Sequence, residues 1–317
     1  MEAKTFALIG ACGYIAPRHL KAIKETGNVL VAALDRGDSA GVLDGYFPDA
    51  NFFTEFERFD RHIEKLRRKG HRVDYVTICS PNYLHDAHVR FAMRIGADAI
   101  CEKPLVINPW NAEALGEIEI ETGRRINTIL QLRLHPAIAQ LKRDIAAAPA
   151  GKIYDVDLTY ITSRGRWYQA SWKGDESKSG GIATNIGIHF FDMLTWIFGA
   201  VKNNIVHLYQ PNKASGVLQL ERARVRWFLS IDRNDLPSPP VQDKAATYRS
   251  ITVDGKEVEF SEGFTDLHTE SYRRILAGEG FRLQDVLPSI QTVYEIRNTK
   301  PVAAGLDSHP FLQRILK

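Results

Sequence analysis

The segment Gly10-Ala11-Cys12-Gly13-Tyr14-Ile15-Ala16 follows a short apolar run and precedes a helical pattern. In that context a glycine-rich turn lets a phosphate approach the backbone and meet helix N-terminal amides. The spacing is G-x-x-G-x-x-A, one residue wider than the usual dinucleotide fingerprint. Support comes from Asp35, which ends a second apolar run 25 residues after Gly10 and suits hydrogen bonding to an adenosine ribose. A carboxylate there repels a 2′-phosphate and favours NAD over NADP, with the adjacent Arg36 working against that preference. Gly10, Cys12, Gly13, Tyr14, Ile15, Asp35 and Arg36 are therefore the expected cofactor contacts of this region.

Two later turns also stand at the ends of strand patterns, where an open parallel sheet places its ligands. Ser80-Pro81-Asn82-Tyr83-Leu84-His85 is one, with Asn82 suited to cap the next helix. Cys101-Glu102-Lys103-Pro104 is the other. A lysine partly desolvated beside a cationic ring has its pKa pushed down toward the range useful for proton transfer, although a surface lysine is the plain alternative. Farther on, Asn185 and His189 are four apart and Asp192 is three beyond His189, so all three share one face of a helix. A neutral imidazole is a ready base at pH 7; a satisfied core histidine is the plain alternative there.

These residues need a scaffold that gathers strand ends. At about 150 residues per domain, a chain of 317 residues has room for two. Its first third alternates apolar runs (residues 4–10, 29–34, 75–79, 97–101 and 126–132) with helical patterns (17–26, 83–95 and 109–122). That alternation is the signature of a parallel sheet covered on both faces. Beyond about residue 134, a helix (137–147) leads into period-two runs at 153–161, 205–209, 216–220, 223–231 and 248–253, with one buried helix at 186–198. Period-two runs suit an antiparallel sheet. The expected fold is α/β: an N-terminal Rossmann dinucleotide-binding domain, residues 1–124, and a C-terminal α+β domain with a large, mostly antiparallel sheet, residues 125–317.

The segment 234–244, with Pro237, Pro239 and Pro240, is expected to be a loop, and the basic stretch 61–72 a solvated helix face. A net charge of +3, with 44% hydrophobic and 25% charged residues, excludes long disordered, collagenous and strongly nucleic-acid-binding chains. No leader pattern stands at the N-terminus, and the apolar stretch 190–201 is short and carries Asp192, so a cytoplasmic protein with no membrane partner is expected. Cys12, Cys79 and Cys101 lack C-x-x-C spacing and are expected to be buried thiols, with no disulfide or metal site.

Taken in order, these motifs resemble the glucose–fructose oxidoreductase / inositol dehydrogenase (Gfo/Idh/MocA) family. The resemblance covers nearly the whole chain: the glycine loop continuing to His19, Ser80-Pro81-Asn82 with His85, Glu102-Lys103-Pro104, Arg133 before His135-Pro136, and Gly180-Gly181 leading to Gly187-Ile188-His189 with Asp192. It implies NAD as cofactor, with Ser80, Asn82, His85, Glu102, Lys103 and Arg133 added to its contacts. It also implies that Lys103 and His189 face each other across a cleft and flank the hydroxyl being oxidised. The family often carries an aspartate where this chain has Asn185, a neutral amide that can orient His189 without raising its basicity.

More narrowly, residues 10–19, Asn185 and the stretch 159–174 are similar to the family's bacterial UDP-N-acetylglucosaminuronate 3-dehydrogenase branch. In that stretch Arg164, Arg166 and Lys173 could meet a pyrophosphate and a sugar carboxylate, while Trp167, Tyr168 and Trp172 could pack on a uracil or pyranose face. A loop covering the sheet, or an oligomer contact, is the plain alternative. Gln131, Asn185 and Asp192 complete the expected substrate contacts.

The resemblance implies oxidation of a nucleotide sugar at its C3 hydroxyl for surface polysaccharide synthesis and a homotetramer. As in some relatives, 2-oxoglutarate would reoxidise bound NADH. His189 is the preferred base and Lys103 the alkoxide's hydrogen-bond donor, roles that can be exchanged. The rivals are another sugar dehydrogenase of the family, a glycosidase that uses NAD transiently, and a non-catalytic NAD-binding protein, which would need no lysine and histidine pair.

Overall fold

The computed structural model describes residues 2–237, 247–260 and 266–316. These fall into two compact units: residues 1–131 with 266–287, and residues 132–265 with 288–317.

The first unit is built on β1 (Thr5–Ile9), β2 (Val29–Leu34), β3 (Asn51–Phe53), β4 (Tyr75–Ile78), β5 (Asp98–Cys101) and β6 (Ile126–Thr128). They pair in the order β3-β2-β1-β4-β5-β6, and every pair is parallel. Parallel strands must be linked by crossovers, here α1 (Ala16–Glu25), α2 (Val42–Tyr46), α3 (Phe56–Arg68), α4 (His85–Arg94) and α5 (Pro109–Thr122). Because helices cover the sheet, β1 is apolar at nearly every position, and Phe6, Ala7 and Leu8 are fully buried. Leu20 and Ile23 of α1 join Phe6, Leu8 and Leu30 in one core, which Tyr272 and Ile275 complete from α10 (Leu267–Leu276).

The expected boundary at residues 124/125 differs from this division in two respects. β6 lies beyond it yet pairs with β5, Ala99 opposite Ile126. Residues 266–287, expected in the second domain, belong to the first unit. Sequence periodicity also left α2, β3 and α10 unassigned: the first two are short edge elements, and α10 is far in sequence from the core that it completes.

The second unit begins with α6 (Pro136–Ala147), β7 (Tyr154–Thr162), α7 (Arg166–Ala170), α8 (Glu176–Ser179) and α9 (Ile188–Phe198). It continues through β8 (Val201–Tyr209), β9 (Lys213–Leu220), β10 (Ala223–Ser230), β11 (Thr247–Val253) and β12 (Lys256–Glu257). α11 (Leu283–Asn298) leads back into this unit, which ends with α12 (Pro310–Ile315). The sheet order is β12-β11-β7-β10-β9-β8, antiparallel at each pair except β7 with β10. α9 lies on one face, with Phe191 edge-on to Trp227 at 5.3 Å between centroids and Phe190 against Tyr160 at 4.7 Å. Ile161, Phe228 and Leu312 form a second cluster.

Of the expected proline loop, Arg233–Asp235 forms a 3-10 turn, and residues 238–244 lie outside the described residues. Among the described residues no helix is long and apolar enough to cross a membrane.

α12 depends on a neutral histidine. Phe311 N–H donates to His309 Nδ1 at 3.1 Å, so the ring proton sits on Nε2, 3.2 Å from Thr159 Oγ1. Burial, with Arg226 nearby, pushes the His309 pKa down to about 3. An unfolded histidine takes its proton near pH 6.5, so the unfolded chain binds more protons between the two values. Stability from this site is complete above about pH 6.5 and is lost as pH falls toward 3, at about 1.4 kcal/mol per pH unit. His309→Asn keeps an acceptor for Phe311 and removes the titration. Urea unfolding at several pH values should show the wild type steeper than this variant by about that slope.

Candidate active site

In the first unit the glycine loop leaves the end of β1. Gly10 has φ +95°, and a Cβ there would stand 2.6 Å from the Cys79 carbonyl carbon, so only glycine fits. Gly10 N–H donates to Leu34 O at 2.7 Å and Gly13 N–H to Gly10 O at 3.2 Å, which turns the chain into α1. The residue before α1, Ile15, provides no side-chain cap, and no acidic residue stands in the first turn. That uncapped N-terminus, beside a backbone with no Cβ, suits an anionic phosphate. Cys12 N–H and Gly37 N–H donate to the two oxygens of Asp35, each at 2.9 Å, which pins the end of β2 to the loop. Arg36 is exposed and Tyr14 is 88% exposed. Cys101 is buried as expected, whereas Cys12 and Cys79 are only partly so.

The turns after β4 and β5 are tied together. His85, fully inside, places Nδ1 2.7 Å from Pro104 O and Nε2 2.8 Å from Ser80 O. Ser80 Oγ meets His88 Nδ1 at 2.8 Å, and burial pushes the His88 pKa down to about 4. Asn82 is buried in the 3-10 turn Asn82–Leu84 that leads into α4, and the residues before the two helix starts, Pro81 and Leu84, provide no side-chain cap.

Glu102, expected to touch the cofactor, is 8% exposed, with Oε1 3.0 Å from both His19 Nε2 and His268 Nε2. These three ligand-type atoms lie within 4.8 Å of one another, but the 3.0 Å separations are those of hydrogen bonds to a shared oxygen. Lys103 N–H donates to Glu102 Oε2 at 3.2 Å, and Lys103 itself is half-buried. His19, Glu102 and Lys103 stand in motifs read from the sequence, whereas His268 was outside that expectation. The signal available was the helical spacing of Leu267, Ser271, Ile275 and their neighbours in the 266–276 stretch.

In the second unit His189 lies in the first turn of α9, half-buried, just after a π-helical turn, Ala183–Gly187. Gly187 permits that turn to press on the sheet, since a Cβ would come within 2.6 Å of Leu229 Cδ1. The wider turn departs from the plain α-helical spacing expected for Asn185 and His189. Asn185 donates its amide to Tyr168 Oη at 2.6 Å. Tyr168, expected to offer a stacking face, is instead 3% exposed, and burial raises the pKa of its hydroxyl. Trp167 and Trp172 are open enough to stack, and the Lys173 ammonium lies 5.1 Å from each ring. Burial, with Arg164 nearby, lowers the Lys173 pKa. Arg164 and Arg166 are exposed.

Arg133 and Asp192, expected on cofactor and substrate respectively, are paired with each other. Arg133 Nε and Nη2 donate to the two Asp192 oxygens at 3.0 and 2.7 Å, and both residues are buried. The pair joins the 3-10 turn Gln131–Leu134 to α9 one turn beyond His189. Gln131 opens that turn and is half-buried.

Known proteins align with both parts. The family model described as "Oxidoreductase family, NAD-binding Rossmann fold" matches residues 4–129, and its "C-terminal alpha/beta domain" model matches residues 142–233. A crystal structure of the WlbA (WbpB) dehydrogenase from Thermus thermophilus with NAD and alpha-ketoglutarate is 53% identical over 97% of this chain and 99% of that one, at a TM-score of 0.93. A second structure of the Thermus enzyme, with NAD and UDP-GlcNAcA, is 52% identical over the same shares at the same TM-score. D-glucoside 3-dehydrogenase of Escherichia coli is 29% identical over 143 residues, 43% of this chain. The chain spans 40% and 36% of the length of the first curated relatives that it matches.

Removing one partner of the Arg133–Asp192 pair strands the other charge in the interior. Asp192→Ala should cost about 3–5 kcal/mol in urea unfolding, and the double change Arg133→Met with Asp192→Leu should recover most of it.

Proposed function

The chain belongs to the Gfo/Idh/MocA oxidoreductase family, and from that premise we propose that it is an NAD-dependent nucleotide-sugar dehydrogenase. It oxidises the C3 hydroxyl of UDP-N-acetylglucosaminuronic acid to the 3-keto sugar, in the synthesis of surface polysaccharide. 2-Oxoglutarate is the second substrate, whose keto group takes the electrons back. The observation that carries the reading is 53% identity over 97% of the chain to a dehydrogenase crystallised with NAD and alpha-ketoglutarate, and with UDP-GlcNAcA in a second structure.

The site residues fit the cofactor: the start of α1 has neither a side-chain cap nor an acidic residue in its first turn, so its backbone amides suit a phosphate. Asp35, already oriented by two backbone amides, can also accept ribose hydroxyls. When bound, NAD supplies the hydride acceptor. His189 takes the hydroxyl proton at a ring nitrogen, and Lys103 donates a hydrogen bond to the oxygen as negative charge develops on it. The Lys173 ammonium between Trp167 and Trp172, with Arg164 and Arg166, suits an anionic nucleotide sugar that also presents flat faces.

The purified chain should turn over UDP-N-acetylglucosaminuronate to an oxidised sugar, and 2-oxoglutarate alone should remove any reduced-nicotinamide absorbance that copurifies with it. His189→Asn and Lys103→Ala should each lower kcat by about 10²–10⁴-fold while still binding NAD. Near-normal turnover in both would overturn their assignment, and a hydrolysed sugar with no oxidised product would overturn the reaction. The same proposal includes a homotetramer, read as mass by light scattering.

A further inference from the structure

Glu102 is a carboxylate inside the first unit whose partners are two imidazoles and a backbone amide. His19, from α1, and His268, from α10, each place Nε2 3.0 Å from the same oxygen, Oε1. Behind His19 the chain of contacts continues: Nδ1 is 2.9 Å from Tyr272 Oη, which is 2.8 Å from Thr77 Oγ1. One set of protons satisfies every link. The Thr77 hydroxyl donates to Tyr272, the Tyr272 hydroxyl to His19 Nδ1, and the Nε2–H groups of His19 and His268 to Glu102. Burial pushes the His19 pKa down. For Glu102 burial alone would raise the pKa, yet the hydrogen bonds from His19 and His268 hold it well below the usual carboxylate range.

Apolar side chains would fill this volume at less cost than a carboxylate with three polar partners. What the polar set provides is direction. Oε2, the other oxygen of the carboxylate, accepts the Lys103 N–H at 3.2 Å, and on the far side of Lys103 the Pro104 carbonyl is held by His85. Lys103 therefore leaves the backbone between two anchored peptide groups. One anchor reaches, through His19, into the helix that the glycine loop opens.

We propose that Glu102, His19, His268 and Tyr272 are positioning residues for Lys103, a buried carboxylate clamped by two imidazoles that aims the lysine amine. The inference rests on the dehydrogenase reading only for what Lys103 does once aimed. Its test therefore includes a readout that needs no turnover.

The full chain with NAD bound is treated with acetic anhydride, and the acetylation rate of Lys103 is followed by mass spectrometry against the exposed Lys65 and Lys202. Glu102→Gln puts an amide N–H against the Lys103 N–H, and His268→Leu removes one clamp; His268→Gln offers an N–H near the lost Nε2. The first two should change the Lys103 rate by about fivefold or more, with the reference lysines unmoved. They should lower kcat about 10–100-fold with KM little changed, as expected for a misaimed group. His268→Gln should recover most of both effects.

Wild-type Lys103 rates in folded Glu102→Gln and His268→Leu would overturn the proposal, as would a His268→Gln no better than His268→Leu. Should His268→Leu fail to fold, Glu102→Gln and Tyr272→Phe, which removes a single hydroxyl, decide it by the same rates. If the wild type turns over no nucleotide sugar, the dehydrogenase reading fails, and the acetylation rates still decide the network.

Discussion

In a sheet whose strands all run the same way, every strand delivers its carboxyl end to the same edge. That constraint brings Gly10, Asp35, Ser80 and Glu102 together although nearly a hundred residues separate the first from the last. It also crowds them, because backbone leaving one strand passes close to backbone leaving the next. Gly10 lies so near the Cys79 carbonyl that a side chain is excluded, and the Cys12 amide reaches the Asp35 carboxylate. The glycine loop and the acidic residue are thus two halves of one contact, which explains why their joint occurrence says more than either alone.

Each unit carries one buried charged group beside a residue proposed for chemistry. In the first, the Glu102 carboxylate directly precedes Lys103; in the second, Asp192 sits one helical turn beyond His189, neutralised by Arg133. An interior charge is costly unless its partners are fixed in place, and the same fixity makes it a stiff support. The two units solve the problem differently, one with imidazole donors around an anion and the other with a two-point guanidinium pair. In both, the support comes from elements distant in sequence.

That distance marks the limit of what could be read from the chain. Local patterns carried the strand–turn–helix of the glycine loop, β2, α5 and the period-two strands of the second sheet, since hydrophobic spacing is a property of a few neighbouring residues. The ordered motifs carried the family. Nothing local reports that Arg133 will meet Asp192, 59 residues away, or that Tyr168 will turn inward to Asn185 and not outward beside Trp167. The helix with His268 and Tyr272 belongs to a core whose other members lie before residue 130, so its role appears only with the folded unit.

The first unit is made from two stretches of chain with all of residues 132–265 between them. During synthesis from the N-terminus its six strands are complete by residue 128, but α10 emerges only after the entire intervening β-sheet has been made. Until then His19 and Glu102 lack His268, and Leu20 and Ile23 lack the side chains that cover them. The nascent Rossmann half must therefore wait, with its clamp open, for a segment more than 130 residues downstream, so a chain that stops anywhere between residues 132 and 265 leaves the first unit unfinished as well.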